Sequence, residues 1–451
     1  MIAPATIFAL ASGPGRAGVA VLRISGPDAG RAVAALTARA LPEPRRAVRR
    51  RFHDAAGDII DDGLLLWFPA PASFTGEDVA ELQVHGGTAI IAALSEALSA
   101  LGLRHAGPGD FTRRAFENGK LDLTAAEAIA DLVDAETEGQ RRQALRQMQG
   151  ELAALYDGWR AQLLGALALI EAEIDFPDED LPDALAARAA PEIATLVAAM
   201  DAHLADHGRG ERVRDGYRIA ILGAPNAGKS SLLNALARRE AAIVSDTPGT
   251  TRDVVEVRLV LAGFPVWIAD TAGLREASDA VESEGVRRAL ARALDADLRL
   301  AVVEAGATTL TPELASLVVG GDVLIVSKSD LDTRSADALV GALADSLEIA
   351  PLHVSTKTGE GVDALIAQIS ARVAADLTQT EAPVLTRLRH REAVTDARDH
   401  LVRAAAALKI TGAELVAEDV RLAARSLGRL TGRIDVEDVL GEIFSSFCIG
   451  K

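Results

Sequence analysis

A strand, a glycine-rich loop and a helix are encoded back to back near the middle of this chain. No other feature restricts its fold as tightly. Gly223-Ala-Pro-Asn-Ala-Gly-Lys-Ser230 matches G-x-x-x-x-G-K-[ST] and follows the apolar run Ile219 to Leu222. Leu232, Leu233, Leu236 and Ala237 then recur at helical spacing, so the loop lies in the strand–loop–helix context that a phosphate-cradling P-loop requires. Glycines let backbone N–H groups curl around phosphate oxygens, a lysine reaches the β- and γ-phosphates, and a serine hydroxyl ligates Mg²⁺. Lys229 and Ser230 occupy those positions. More than two hundred residues lie on either side of the loop. The phosphate site is therefore an insert in a larger assembly.

A chain of 451 residues is expected to form about three domains. Its 49% hydrophobic and 25% charged residues describe an ordinary globular protein with ample core. A net charge of −18 argues against general nucleic-acid coating, because phosphates would be repelled; contact with RNA would need a local basic patch or a partner. The one basic cluster, Arg45-Arg46 with Arg49-Arg50-Arg51, reads as a solvated strand edge or loop. A single cysteine, Cys448, excludes an intrachain disulfide and fits a reducing, cytoplasmic setting. No apolar run is long enough to span a membrane.

Residues 1–118 read as α/β, with strands near Thr6–Leu10, Val19–Ile24, Ile60–Phe68 and Val79–Val84 and helices near Asp28–Arg39 and Thr88–Leu101. Residues 119–212 read as helical. Leu152, Leu155, Trp159 and Leu163 form a one-sided stripe, and Phe176-Pro-Asp-Glu-Asp-Leu-Pro-Asp183 breaks the region in two. Residues 213–376 alternate strand and helix as a doubly wound parallel sheet does. Residues 377–451 return to helix, with Val416, Val420, Ala424 and Leu427 on one stripe. The expected fold class is a multidomain α/β plus all-α chain. Its two helical stretches pack together, and the P-loop domain is inserted between them.

Further motifs point to a guanine nucleotide. Gly249-Thr-Thr-Arg-Asp253 offers Thr250 or Thr251 as a switch hydroxyl for Mg²⁺. Asp270-Thr-Ala-Gly273 ends a strand, so that Asp270 can hold the Mg²⁺ water shell and the Gly273 N–H can sense the γ-phosphate. Asp330 of Ser327-Lys-Ser-Asp330 can accept two hydrogen bonds from a guanine edge, and Ser355-Thr-Lys357 is expected to back the base with N–H groups. Taken in order, these elements read as a GTPase. Two departures stand out. Leu274 occupies the place of the water-orienting glutamine of Ras-like enzymes, and Ser327 replaces the usual asparagine, with shorter reach and fewer hydrogen-bonding groups.

The run Asn226-Ala-Gly-Lys-Ser-Ser-Leu-Leu-Asn234, together with Gly249–Asp253 and Asp270-Thr-Ala-Gly-Leu-Arg275, resembles the MnmE (TrmE) family of tRNA modification GTPases. So do Pro14–Gly18, Leu22–Gly26, Phe74-Thr-Gly-Glu-Asp78, His85–Gly87, Pro108–Phe111, Asn118–Leu123 and the terminal Phe444-Ser-Ser-Phe-Cys-Ile-Gly-Lys451. The resemblance implies a homodimer through the N-terminal domain, with GTP-dependent pairing of G domains. It also implies a heterotetramer with an FAD-binding MnmG (GidA) type partner. Together they add an aminomethyl or carboxymethylaminomethyl group to C5 of the wobble uridine of certain tRNAs. The carbon comes from 5,10-methylene- or 5-formyl-tetrahydrofolate, and the resemblance implies that tRNA is held mainly by the partner.

For the nucleotide site the resemblance implies contacts from Asn226, Ala227, Gly228, Lys229, Ser230 and Ser231. It adds the loop Ser245, Asp246, Thr247, Pro248, Gly249, Thr250 and Thr251, then Asp270, Thr271, Ala272 and Gly273. The base-side residues are Ser327, Lys328 and Asp330 with Ser355, Thr356 and Lys357. Mg²⁺ falls to Ser230 and Thr251. K⁺ falls to the Asn226 amide oxygen and to carbonyls at Ser245, Thr247 and Thr250; there it supplies the charge of an arginine finger. Glu282 would orient the attacking water through a second water; from the residues alone it is a solvated helix carboxylate. Lys229, Asp270 and the tail residue Cys448 complete the catalytic set that the resemblance implies.

Folate binding is implied for Arg23, Glu81, Lys120 and Lys451, with Glu81 on the pterin edge; alone, Glu81 reads as an exposed strand carboxylate. Cys448 is a small buried hydrophobe by habit of its type. In the family it stands near the modification chemistry. Two other readings stay open at this point. Ribosome-assembly GTPases share the G-domain type, but the chain has no second P-loop and no basic Gly-x-x-Gly segment after residue 375. A nucleotide-gated scaffold would leave all chemistry to its partner.

Overall fold

Burial alternates along the strands of one sheet of the protein and is nearly continuous along the central strands of the other, which helices cover on both faces. In the computed structural model, residues 5–175, 185–206, 208–239, 256–270, 291–310, 316–378, 383–408, 413–434, 437–445 and 447–450 are described. The chain divides into two compact units. One comprises Met1–Val133, Leu145–Asp201 and Glu392–Lys451; the other comprises Asp134–Ala144 and Ala202–Arg391.

The first unit opens with a six-stranded sheet of order β3-β4-β5-β2-β1-β6. The strands are β1 (Ile7–Leu10), β2 (Ala17–Ser25), β3 (Val48–His53), β4 (Ile59–Phe68), β5 (Val79–Gly86) and β6 (Arg104–His105). Neighbours are antiparallel except β1 and β6. Ala20, Leu22 and Ile24 of β2 and Ala80, Leu82 and Val84 of β5 point to one face. There they pack with Val33, Leu36, Leu94 and Leu98 of the helices Ala29–Thr37 and Thr88–Ala100. Alternation sends Arg23 and Glu81 to the opposite face, directly across from each other in the β2/β5 register. Strand β3 and the helix Asp110–Glu117 were not among the sequence expectations. The first is half arginine, and the second buries only Phe111, Thr112 and Ala115.

The helical part of this unit joins chain from both sides of the P-loop domain. The helix Leu123–Val133 is capped by Asp122, whose Oδ1 accepts from the backbone N–H of Thr124 (2.8 Å) and Ala125 (3.0 Å). The helix Glu151–Asp175 then lies along Ala413–Thr431. Leu152, Tyr156, Trp159, Leu163 and Ile170 are buried on the first helix, and Val416, Val420, Ala423, Leu427 and Leu430 on the second. Arg421–Glu171 (2.8 Å) and Arg433–Asp157 (2.7 Å) tie the rim. The described helices stop at Asp175 and resume at Leu185, on either side of the proline-containing segment.

The second unit holds a six-stranded sheet of order β12-β11-β10-β7-β9-β8. Its strands are β7 (Tyr217–Gly223), β8 (Glu256–Leu261), β9 (Phe264–Asp270), β10 (Leu298–Glu304), β11 (Val323–Ser327) and β12 (Leu352–Val354). All pair in parallel except β8, which a two-residue hairpin at Ala262-Gly263 returns antiparallel to β9; both turn residues have positive φ (51° and 82°). The helices Lys229–Arg239 and Val362–Leu377 cover one face, and Arg334–Leu347 covers the other. The connections diverge on either side of β7, a switch point where ligands bind at strand carboxyl ends in such sheets. No helix among the described residues is long and apolar enough to cross a membrane.

Candidate functional site

The P-loop leaves the carboxyl end of central strand β7. Gly223 ends that strand at φ 155°, and a Cβ there would stand 2.4 Å from the Val302 carbonyl oxygen of β10. Only glycine permits the approach. Asn226 and Gly228 take positive φ (66° and 91°), which turns the loop so that the helix starts at Lys229. The Lys229 ammonium is buried and donates to the carbonyls of Gly223 and Ala224, both at 2.9 Å. Burial pushes its pKa down, while Asp270 opposes that shift. A cation is thereby fixed at the mouth of the loop, where phosphate oxygens would be received.

Ser230 Oγ donates to Asp270 Oδ2 at 2.6 Å. Asp270 is buried, and its other oxygen, Oδ1, has no hydrogen-bond partner among the described residues. A hydroxyl beside an orphaned, buried carboxylate oxygen suits a hydrated divalent cation, whose waters are donors.

The base side is built at the ends of β11 and β12. Ser327 is buried; its hydroxyl lies 2.6 Å from the Ala227 carbonyl of the P-loop and 3.3 Å from that of Val303. A hydroxyl carries a single hydrogen, and here it ties the loop to β11, so none is left to donate to a base. Lys328, at φ 56°, pairs with Glu304 (2.7 Å). Asp330 Oδ1 accepts the Ser355 hydroxyl at 2.8 Å, and Lys357 stands 3.6 Å from Oδ2. The Ser355 hydrogen bond, then Lys357, holds the Asp330 carboxyl below its ordinary pKa. Ser355 departs from its expected role: its backbone N–H is spent on the Glu360 carbonyl (3.0 Å), because the loop closes on itself there. Its side chain, not its N–H, meets Asp330. Ser231 and Thr356 are exposed at the margins. Ser245, Asp246, Thr247, Pro248, Gly249, Thr250, Thr251, Thr271, Ala272, Gly273 and Glu282 lie outside the described residues.

A second constellation forms in the first unit. Arg23 Nε and Nη2 both donate to Glu81 Oε1 (3.1 and 2.9 Å), which leaves Oε2 for a further donor. The guanidinium lies 5.3 Å from the centre of the Phe74 ring and 5.7 Å from that of Phe111. Such stacking suits a flat, partly buried ligand site. The loop carrying Phe74 also receives Lys120, whose ammonium donates to the Pro71 carbonyl (3.1 Å). Behind it, Arg114 pairs with Glu77 (2.8 Å), and Ser25 bonds both Glu77 and Thr75 (2.7 Å each).

The tail meets this region. Phe447 is buried with Phe444, Leu123 and Leu440; Ile449 bridges to Pro108; and a Cβ on Gly450 would fall 2.1 Å from the Leu10 carbonyl oxygen. Leu10 neighbours Ala9, the β1 partner of Arg23. Cys448 between these anchors is exposed, contrary to the habit of its residue type. Lys451 lies outside the described residues. Phe74, Phe111, Arg114 and Glu77 were not singled out as site residues. The only sequence signal was that three of them fall in Phe74–Asp78 and Pro108–Phe111.

The fold and the nucleotide-side geometry define a P-loop GTPase with an added α/β domain and a helical domain. Residues 123–448 match the model of the MnmE helical domain, and residues 6–120 match that of the GTP-binding protein TrmE N-terminus. The chain is 57% identical over 449 residues to the tRNA modification GTPase MnmE of Parvibaculum lavamentivorans, covering 99% of this chain and 100% of that one. It is 56% identical to those of Paramagnetospirillum magneticum and Phenylobacterium zucineum, each over 99% of both chains. Among solved structures, the G domain of the T. maritima FeoB iron transporter is 23% identical over 35% of this chain, at a TM-score of 0.25. The chain belongs to the MnmE (TrmE) family of tRNA modification GTPases, and as such is a GTP hydrolase that acts in tRNA modification.

Proposed function

We propose that this GTPase uses nucleotide turnover to time a one-carbon transfer onto C5 of the wobble uridine in tRNA, working in the cytoplasm as a homodimer with an FAD-binding partner of the MnmG type. Four segments divide the work: 1–118 for folate and dimerisation, 119–212 and 377–451 for the helical support, and 213–376 for GTP. The observation that carries this reading is the separation of two built sites. One unit holds the P-loop with Lys229, Ser230 and Asp270; the other holds Arg23, Glu81, Phe74 and Phe111 with the Cys448 tail anchored alongside.

At the nucleotide site, Lys229 binds phosphate oxygens, Ser230 and Asp270 hold Mg²⁺ and its water shell, and Asp330, oriented by Ser355, reads the guanine edge. Glu282 positions the attacking water in place of the missing glutamine. K⁺ held by Asn226 and the loop carbonyls of Ser245, Thr247 and Thr250 would supply positive charge where the β–γ bridging oxygen gains negative charge. At the other site, the free Oε2 of Glu81 takes the guanidine-like edge of a pterin. The aromatic rings flank its face, and Lys120 with Lys451 takes the glutamate tail.

GTP turnover in K⁺ and Na⁺ buffers tests the nucleotide half: a strong K⁺ preference is expected, and equal rates would overturn it. Binding of a reduced folate to Glu81→Gln and wild type tests the other half. Undiminished binding by the variant would remove Glu81 from the site.

A further inference from the structure

We propose that the groove along edge strand β3 is an RNA-backbone docking surface, through which this chain itself grips the tRNA that the reading above gives it as substrate. The inference rests on that reading for the identity of the RNA and on the groove's own chemistry for the contact.

The groove has a volume of about 510 Å³ and is lined by Arg39, Arg49, Arg50, Arg51, His53 and Asp62. Four guanidinium groups and an imidazole thus line a groove that holds one carboxylate, in a chain whose net charge is −18. Polyanions are repelled by most of such a surface, so attraction is concentrated where the sign reverses.

The one carboxylate is already committed. Asp62 pairs with Arg49 at 2.7 Å and with Arg51 at 3.6 Å, which orients two guanidiniums side by side. Arg39 and Arg50 have no carboxylate partner among the described residues. Arg50 donates only to the Arg49 carbonyl (3.1 Å), and its Nε is buried without a partner. Because β3 ends the sheet, alternate backbone N–H groups along it point outward, unpaired by a neighbouring strand. Guanidinium forks and free backbone N–H groups are the donors that grip phosphate without reading bases. A second copy of the same groove would meet it with like charge, which excludes symmetric self-pairing here.

The test is fluorescence anisotropy of a labelled tRNA with the full chain, titrated over roughly 50 to 200 mM salt. The Arg39→Gln/Arg50→Gln double variant should bind about tenfold more weakly at the low-salt end, with its log–log salt slope reduced by roughly two, one per lost phosphate contact. Arg39→Lys/Arg50→Lys, which keeps both charges, should retain most of the slope, and GTP turnover of both variants should equal wild type. Unchanged affinity and slope in the Gln variant overturn the groove while leaving the tRNA reading intact. So does a variant that binds tRNA normally yet loses modification in cells, since that assigns the groove to an acidic protein partner. Wild-type protein that neither binds tRNA nor supports its modification overturns both.

Discussion

Single side chains set the chemistry of the nucleotide site, and Ser327 shows how finely. Its hydroxyl reaches the Ala227 carbonyl at 2.6 Å, so the shorter side chain still braces the P-loop. What it gives up is any donor left over for the base, since an amide would offer two N–H hydrogens and a carbonyl oxygen. Ser327→Asn should therefore tighten GDP binding several-fold, an effect on the order of 1 kcal/mol for one added hydrogen bond. Calorimetric titration checks this, and equal or weaker affinity would show that bracing, not base contact, is what the position supplies. His203 gives a second residue-scale expectation. Burial, with His390 and Arg391 adding to it against Asp206, lowers its pKa from 6.5 to about 4. The unfolded chain then takes up a proton that the folded chain refuses. Stability is full above pH 6.5 and falls as pH drops from there to about 4, by about 3 kcal/mol in all. Thermal melts of wild type and His203→Gln across that window should diverge, with the variant losing this part of the slope.

Elements explain what the sequence could and could not disclose. The Val416–Val420–Ala424–Leu427 stripe was legible because its spacing alone dictates one apolar face, and all four side chains are buried. The P-loop was equally legible, since glycine, lysine and serine at fixed offsets have few other uses. Strand β3 was not, because an edge strand carrying Arg49, Arg50 and Arg51 has no apolar alternation to read. The Arg23–Glu81 pair was legible only through family resemblance: it depends on the register between β2 and β5, across 58 positions of sequence. The same reasoning gives weight to the pairing of Glu151–Asp175 with Ala413–Thr431. Leu427 is buried on that seam, which joins chain from before and after the P-loop domain. Leu427→Ala should cost about 3 kcal/mol, the usual result of cutting a buried leucine to alanine. Urea denaturation would show it as a lower midpoint for the first unit. A loss under 1 kcal/mol would mean the seam repacks around the gap.

At the scale of the whole molecule, two units with separate cores carry the nucleotide site and the proposed folate site, and the independence of the two can be measured. A ligand that binds a folded unit stabilises that unit by RT ln(1 + [L]/Kd), about 2.7 kcal/mol at a hundredfold excess over Kd. For a domain of this size that corresponds to a rise of roughly 5 to 10 °C in melting temperature. Differential scanning calorimetry of the full chain should therefore resolve two transitions. GDP with Mg²⁺ should raise only the one belonging to Asp134–Ala144 and Ala202–Arg391, because the P-loop, Asp270, Ser327 and Asp330 all lie there. A reduced folate should raise only the other, which contains Arg23, Glu81, Lys120 and the Cys448 tail. Glu81→Gln should erase the folate shift and leave the GDP shift intact; Lys229→Ala should do the reverse. Should either ligand lift both transitions equally, the units unfold as one body. The proposed timing of folate-side chemistry by GTP would then travel through shared stability rather than through a change confined to the nucleotide unit.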